Sequence, residues 1–460
     1  MTTRRNFLLQ STLGVAGSTV VPGRLLMNLQ EANPSNDRLK IGVSREIITP
    51  KLGGLFMGYG SNKPSTAVHD DLTVTAIAIA SGKTCALLMS ATVCLIGNDL
   101  TGKIRSLCGA AAGVPADNVI LAATHTHSGP ITTDNIDALY CDEIFVPGCV
   151  AAAKAAVSEM KHAKVGMATT KSLVGINRRQ LLANNKVILG QNPWGAYDSE
   201  MTVISFRGDD GKSFANIVHC TAHCTASGIN TEVTRDWAGV MIDRLEQESG
   251  AITMFINGME GDVAPRMANG GSTGDINHAM EVGAVAALDA VRAYKDIREY
   301  RDEELSAATE DIKIPHAPLI PLDEARSELA KLEAGTQARF TGSTIRVLKK
   351  NIELHEKGET GDSFFTYRQT LLKIGSIVLI PVPFEASSEI SLRFRTYSKY
   401  GHTLPLGCTN GSNSYLPSQD QLCRGGYEVE RFKWSGERQL ADNADMHLVN
   451  ENLKLMEKFS

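Results

Sequence analysis

Apolar positions along this chain change period repeatedly, and each change marks an element. Lys40–Val43 begins a strand. Asp71–Ala80 alternates and then turns wholly apolar, as a strand does on entering a core. Thr84–Ile96 is a second buried run, and Ser81-Gly82-Lys83 between them predicts a hairpin. Leu100–Ala112 carries a helical pattern, Val119–Ala123 reads as a short buried strand, and Asp142–Met160 as a helix rich in Ala and Val. Met201–Phe206 and Phe214–His219 pair across the turn Gly208–Gly211. An amphipathic helix over Asp236–Glu248, a strand over Ile252–Asn257 and a long Ala-rich helix over Gly274–Tyr294 follow. From Asp296 to Lys357 the composition becomes charged and helical, which reads as an arm or lid with Leu322–Ala334 an exposed helix. Ile374–Ile380 returns to strand and is ended by Pro381 and Pro383, with a helix over Glu385–Lys399 and a loop-rich stretch, Gly401–Trp434, behind it. Strands interleaved with helices, several in hairpins, predict an α/β (α+β) fold with a mixed β-sheet core flanked by helices.

Bulk properties narrow the function. The 460 residues suffice for one large or two ordinary domains. A net charge of -5 and a pI near 6.2 leave no electrostatic footprint for nucleic acid. Beyond the N-terminal leader no apolar run reaches the ~18 residues of a membrane span. Thr3–Leu9, with Arg4 and Arg5, resembles a twin-arginine export signal, and a mildly apolar stretch, Leu13–Val21, follows it. Residues 1–36 are accordingly expected to be signal peptide and linker, 37–460 the functional domain, and the destination periplasmic or extracellular. The nine cysteines are odd in number and form no disulfide framework, which fits a chain that folds with reduced thiols before export.

Candidate chemistry gathers in loops that follow buried strands, where a rigid scaffold usually presents it. Thr124–Pro130 carries His125 and His127 directly after Val119–Ala123. At this spacing on an extended chain both imidazoles project to one side, a geometry in which they can serve one metal. The second loop is His219-Cys220-Thr-Ala-His223-Cys224, the third Asn257–Arg266 with Asp262, and the fourth Pro381–Glu385. Two histidine clusters and a carboxylate from separate strands suit a catalytic zinc, which keeps one position for water. A closed structural zinc held by His219, Cys220, His223 and Cys224 is the rival, although this is not the usual knuckle spacing. His219 alone reads as a core or supporting histidine. Asp262 reads as a residue that fixes its loop through backbone amides, with a second cation as the alternative.

Thr124-His-Thr-His-Ser-Gly-Pro130 resembles the signature of the neutral/alkaline (non-lysosomal) ceramidase family. Further segments in the same order extend the likeness over Lys40–Tyr427: Gly58-Tyr59, Ile176–Arg178 with Asn192-Pro193 and Asp198, Ala222-His223, Arg235–Gly239, Gly261–Pro265, Pro383–Glu385, Tyr415–Ser418 and Tyr427-Glu428. The resemblance implies a zinc-dependent amidase with one zinc held by His125, His223, Glu385 and Tyr415. It implies that His127 faces substrate or zinc-bound water, that Arg178 contacts substrate or steadies the oxyanion, and that Tyr427 donates to the tetrahedral intermediate. The substrate it implies is ceramide or another N-acyl compound.

The sequence departs from the family at three points. Ala264 stands where the family has the serine sometimes assigned as nucleophile, so attack by activated water is the expected route. Cys224 follows His223 where the family has Pro, and Phe384 replaces the Gly before the carboxylate, which leaves Glu389 as a second candidate ligand to Glu385. The family's C-terminal β-sandwich is not expected here. Two alternatives follow from these departures: a zinc hydrolase of a polar amide or ester such as an amino-sugar derivative, and a non-catalytic binding protein on the same fold. A lipid site should be an apolar groove beside the metal, and a polar site should have charged walls.

Overall fold

The computed structural model describes residues 38–459 apart from 61, 134–135, 336–340, 435 and 437. The leader with Arg4 and Arg5 lies outside the described residues, and no described helix is long and apolar enough to cross a membrane.

Three sheets carry the chain, and each is built the same way. In the first, β1 (Lys40–Ile47), β2 (Thr73–Ser81) and β3 (Thr84–Ala91) run antiparallel. The chain then crosses through α1 (Asn98–Ala112) to β4 (Val119–Ala123), parallel to β3, and α2 (Val146–Ser158) follows. The second sheet uses β5 (Lys164–Lys171), β7 (Glu200–Arg207) and β8 (Ser213–Cys220), with the short β6 (Gly175–Asn177) lying between β5 and β7 in the chain. It crosses through α3 (Asp236–Ser249) to β9 (Ile252–Asn257), parallel to β8. After β10 (Val263–Pro265) and α4 (Ile276–Lys295), the third sheet opens with β11 (Leu305–Pro315). The helices α5 (Leu322–Glu333) and α6 (Thr341–Lys357) precede its next strands, β12 (Phe364–Ile374) and β13 (Ile377–Pro381). The two-residue β14 (Glu385–Ala386) and α7 (Ser388–Tyr397) then lead to β15 (His402–Leu406), parallel to β13. Beyond it lie β16 (Tyr415–Leu416), α8 (Tyr427–Lys433) and α9 (Ala444–Met456).

Strand alternation decides which face packs where. In β2, Ile77 and Ile79 enter a core shared by all three sheets, together with Ile204, Ile217, Leu372 and Leu404. Their neighbours Val74, Ala76 and Ala78 face the other way, against α1 and α2. In β8, Ile217 faces the shared core while Val218 packs with Trp237, Met241 and Leu245 of α3. The outer face of the third sheet is covered by Ile390, Phe394, Leu448 and Val449 of α7 and α9. Period two with both faces buried thus gives an inner layer of sheets and an outer layer of helices.

Several boundaries differ from the sequence reading. The buried run Thr84–Ile96 stays in the ladder only to Ala91. Glu385–Ala386 is strand, and the helix starts at Ser388. Leu305–Pro315, inside the stretch expected to be helical, is an eleven-residue strand paired with β12 along its whole length. It is an edge strand, and its charged residues Glu310, Asp311 and Lys313 are all exposed, which hid its period.

Candidate metal centre

Each sheet delivers one donor at the carboxyl end of its parallel pair, the place where open α/β sheets bind ligands. β4 is wholly buried and ends at Ala123. Thr124 and His125 are then tied by their amides to Ala91 O and Val93 O, both at 2.9 Å. His125 has φ 71°, in the left-handed region that a non-glycine residue seldom occupies. The local chain is therefore not extended as the i, i+2 reading assumed. Even so, His125 and His127 meet, with Nε2 atoms 3.3 Å apart.

The imidazole orientations follow from their outer nitrogens. His125 Nδ1 lies 2.8 Å from Cys94 O, and His223 Nδ1 lies 2.8 Å from Glu260 O. A carbonyl only accepts, so both Nδ1 atoms carry the proton and both Nε2 lone pairs are presented inward, as in metal-binding histidines. Glu385 Oε2 is 3.4 Å from each of those Nε2 atoms, is buried, and has no hydrogen-bond partner. Tyr415 is aligned by backbone pairing with Glu385 and brings its hydroxyl to 3.4 Å from His223 Nε2.

The electrostatics suit a cation. Burial and the Arg178 charge push His223 down to about 3, so it stays a neutral ligand. Burial and the two neighbouring imidazoles hold His127 well below the ordinary value. Burial opposes ionisation of Glu385, yet His125 and His223 keep its carboxyl well below the usual range. Burial also opposes charge on His125, but Cys408, Cys94 and Glu385 raise its proton affinity well above that of a free imidazole. The cluster draws positive charge to one spot. Two inward nitrogens facing an orphaned carboxylate oxygen fit a zinc ion.

Residues around the donors are tightly fixed. Arg178 Nε donates to Glu428 Oε1 at 2.8 Å and Nη1 to His223 Nε2 at 2.9 Å, on the same lone pair a metal ion would take, while Nη2 is buried and unpartnered. Its guanidinium lies 5.5 Å from the Tyr415 ring and 5.7 Å from the Tyr427 ring. Arg179 Nη1 donates to the other oxygen of Glu428 at 2.5 Å. One buried carboxylate thus answers two buried guanidiniums and leaves net positive charge beside the donors. His127 packs edge-on against Tyr59, with ring centres 4.8 Å apart. Gly58 has φ 113°, and a Cβ on it would lie 2.3 Å from His127 Nδ1.

Other sequence candidates fall elsewhere. Among the described residues, the three groups able to hold a metal all contain His125, and none contains His219, Cys220 or Cys224. The structural-zinc reading of that loop is therefore overturned: His219 Nε2 instead bonds Pro405 O at 2.9 Å, and Cys220 and Cys224 pack in the core beside Trp237. Glu389 is engaged by Arg393 and by Ser418 Oγ, at 3.1 and 2.6 Å. Glu385, not Glu389, is the carboxylate at the histidines. Asp262 accepts from Ser388 N and Gln421 Nε2, each at 2.7 Å, which is a loop-fixing arrangement. Ala264 lies buried in β10 opposite Ile176 and offers no hydroxyl.

Sequence reasoning missed Glu260, Cys94, Cys408 and Glu428. Glu260 is fully buried, its Oε1 accepts from Cys408 Sγ at 2.9 Å, and its Oε2 is unpartnered. Burial raises its carboxyl to about 7, with His125 opposing and Glu385 adding to the rise. A carboxylate two residues before Asp262, in a loop already singled out, was the available signal.

No protein-family model matches this chain, and no curated protein does. Solved structures do match, and the class they define is the neutral ceramidase fold. The neutral ceramidase from Pseudomonas aeruginosa is 19% identical with a TM-score of 0.70, covering 92% of this chain and 75% of that one. A ceramidase complexed with C2 is 18% identical with a TM-score of 0.71, covering 92% and 76%. At this identity the likeness establishes the architecture, and this chain has it.

Proposed function

We propose that the chain is an exported zinc-dependent hydrolase that cleaves the amide bond of an N-acyl, ceramide-like compound. The observation that carries this reading is the convergence of His125 Nε2, His223 Nε2 and Glu385 Oε2, from segments that follow three different sheets, around a point with no donor for the carboxylate. Likeness in fold to ceramidases supports the reaction class.

His125, His223, Glu385 and Tyr415 would hold one zinc. Bound there, zinc supplies a Lewis acid and a water that ionises near neutral pH. The remaining work falls to the chain itself. Arg178 turns its unpartnered Nη2 toward charge developing on the carbonyl oxygen, and Tyr427 adds a hydroxyl donor beside it. His127, neutral because its basicity is depressed, accepts a proton at the centre and returns it to the leaving amine. The twin-arginine leader and a periplasmic or extracellular location belong to the same proposal.

Metal analysis by mass spectrometry on the mature chain tests it, with wild type beside His223→Ala and with N-acyl amide hydrolysis followed in parallel. About one zinc per chain, lost in the variant together with hydrolysis, is the expected result. Failure to take up zinc on reconstitution, or full activity in His125→Ala, sinks it.

A further inference from the structure

A cavity of about 1500 Å³ opens at Glu385. Apolar side chains in its lining include Phe384, which precedes Glu385 in the chain and packs 5.7 Å from the Phe365 ring, together with Leu95 and Met57. Another part of the lining is charged. Ser343, Arg346, Lys350 and Leu354 of α6 line it at three- and four-residue spacing, so they form a single helix face. Arg431 and Arg438 also line this space.

How these cations are occupied decides what the wall can bind. Lys103, on the α1 side, is paired with Asp142 at 2.7 Å. Lys350 is only loosely shared with Glu353, at 3.4 Å. Arg438 donates to three carbonyl oxygens, of Thr360, Asp362 and Ala317, which fix its position but carry no formal charge. Arg346 is exposed and makes no hydrogen bond or ion pair with any described residue. The acidic lining residues not paired with Lys103 are Asp99, Glu359 and Asp362, apart from Glu385 itself, and none of them lies on α6. A hydrocarbon chain laid along α6 would strip water from Arg346 and Lys350 and return nothing. A carboxylate there would gain a forked, charge-assisted contact with the guanidinium.

We infer that the substrate is an N-acyl amide whose far end carries a carboxylate, with Arg346 and Lys350 as its specificity-determining residues. This rests on the proposed amide hydrolysis and narrows its substrate class. Phe384 and Phe365, beside Glu385, take the hydrocarbon next to the scissile bond, and the α6 face takes the anion.

The test compares kcat/KM for two N-acyl amides that share the scissile bond, one with a distal carboxylate and one with a neutral amide in its place. Wild type should favour the carboxylate. In Arg346→Gln/Lys350→Gln the ratio should fall about tenfold, chiefly through KM, and added salt should lower the wild-type ratio. Equal or reversed preference in wild type overturns the inference, as does an unchanged ratio in the variant. Hydrolysis of neither compound defeats the proposed reaction instead. Calorimetric binding of the carboxylate compound to both proteins then decides this inference, and no binding or equal binding overturns it.

Discussion

Glu385 and Tyr415 sit directly opposite one another in a two-residue parallel ladder, so one backbone pairing aims both a carboxylate and a phenol at His223. The pairing makes the two side chains a unit. Tyr415→Phe keeps the ring but deletes the hydroxyl. It should weaken zinc binding by about tenfold or more while leaving the fold intact. Competition with a chelator measures this, and an unaltered midpoint would remove Tyr415 from the ligand set.

Gly58 is the floor beneath His127. Gly58→Ala inserts a methyl group 2.3 Å from His127 Nδ1, at a φ of 113° that an L side chain resists. Hydrolysis should fall about a hundredfold through misplacement of His127. Metal content should stay at the wild-type level, because His125 and His223 are held by other contacts. Equal loss of metal and activity would show that His127 and the donors are not separable.

Metal uptake should be pH-dependent. Cys408, Cys94 and Glu385 raise the proton affinity of His125 despite its burial, so protons compete with an incoming ion for its Nε2 lone pair. Apparent zinc affinity should therefore rise with pH, and binding should release protons. Calorimetry in two buffers of different ionisation enthalpy reports the release directly; zero proton release contradicts it.

Glu428 supplies a second pH effect, on stability. Burial raises its carboxyl, but Arg178 and Arg179 more than offset this and hold it below the ordinary value. A lowered folded value means its contribution is complete above the ordinary glutamate pKa of about 4.3 and disappears as pH falls through the folded value. Glu428→Gln leaves two guanidiniums buried without their counter-charge and should cost about 3–5 kcal/mol near neutrality. The gap between wild-type and variant melting curves should then close in acid. A gap that is constant with pH would assign the loss to packing.

Much of the fold was legible because strands buried on both faces read as uninterrupted apolar runs: Val119–Ala123, Ile252–Asn257 and Ile377–Pro381 are examples. Each ends in a loop rich in His, Asp or Glu, and that juncture carried the site reading. Leu305–Pro315 escaped because an edge strand carries charge on its open side. Glu385–Ala386 escaped because two residues are too few for any period. Glu260 and Glu428 escaped for a third reason. Both stand in segments already singled out, but their partners, Cys408 for the first and Arg178 with Arg179 for the second, are brought in by tertiary folding, so local spacing did not reveal their roles.

The three-sheet plan has a consequence for how the centre comes into being. His125, His223 and Glu385 each follow the parallel strands of a different sheet, so no single sheet can assemble the set. A partly folded chain would offer the proposed zinc ion at most isolated, weak contacts. On the proposed zinc reading, loading is a late event that certifies completed docking, and a loaded chain is one whose three sheets are already in place.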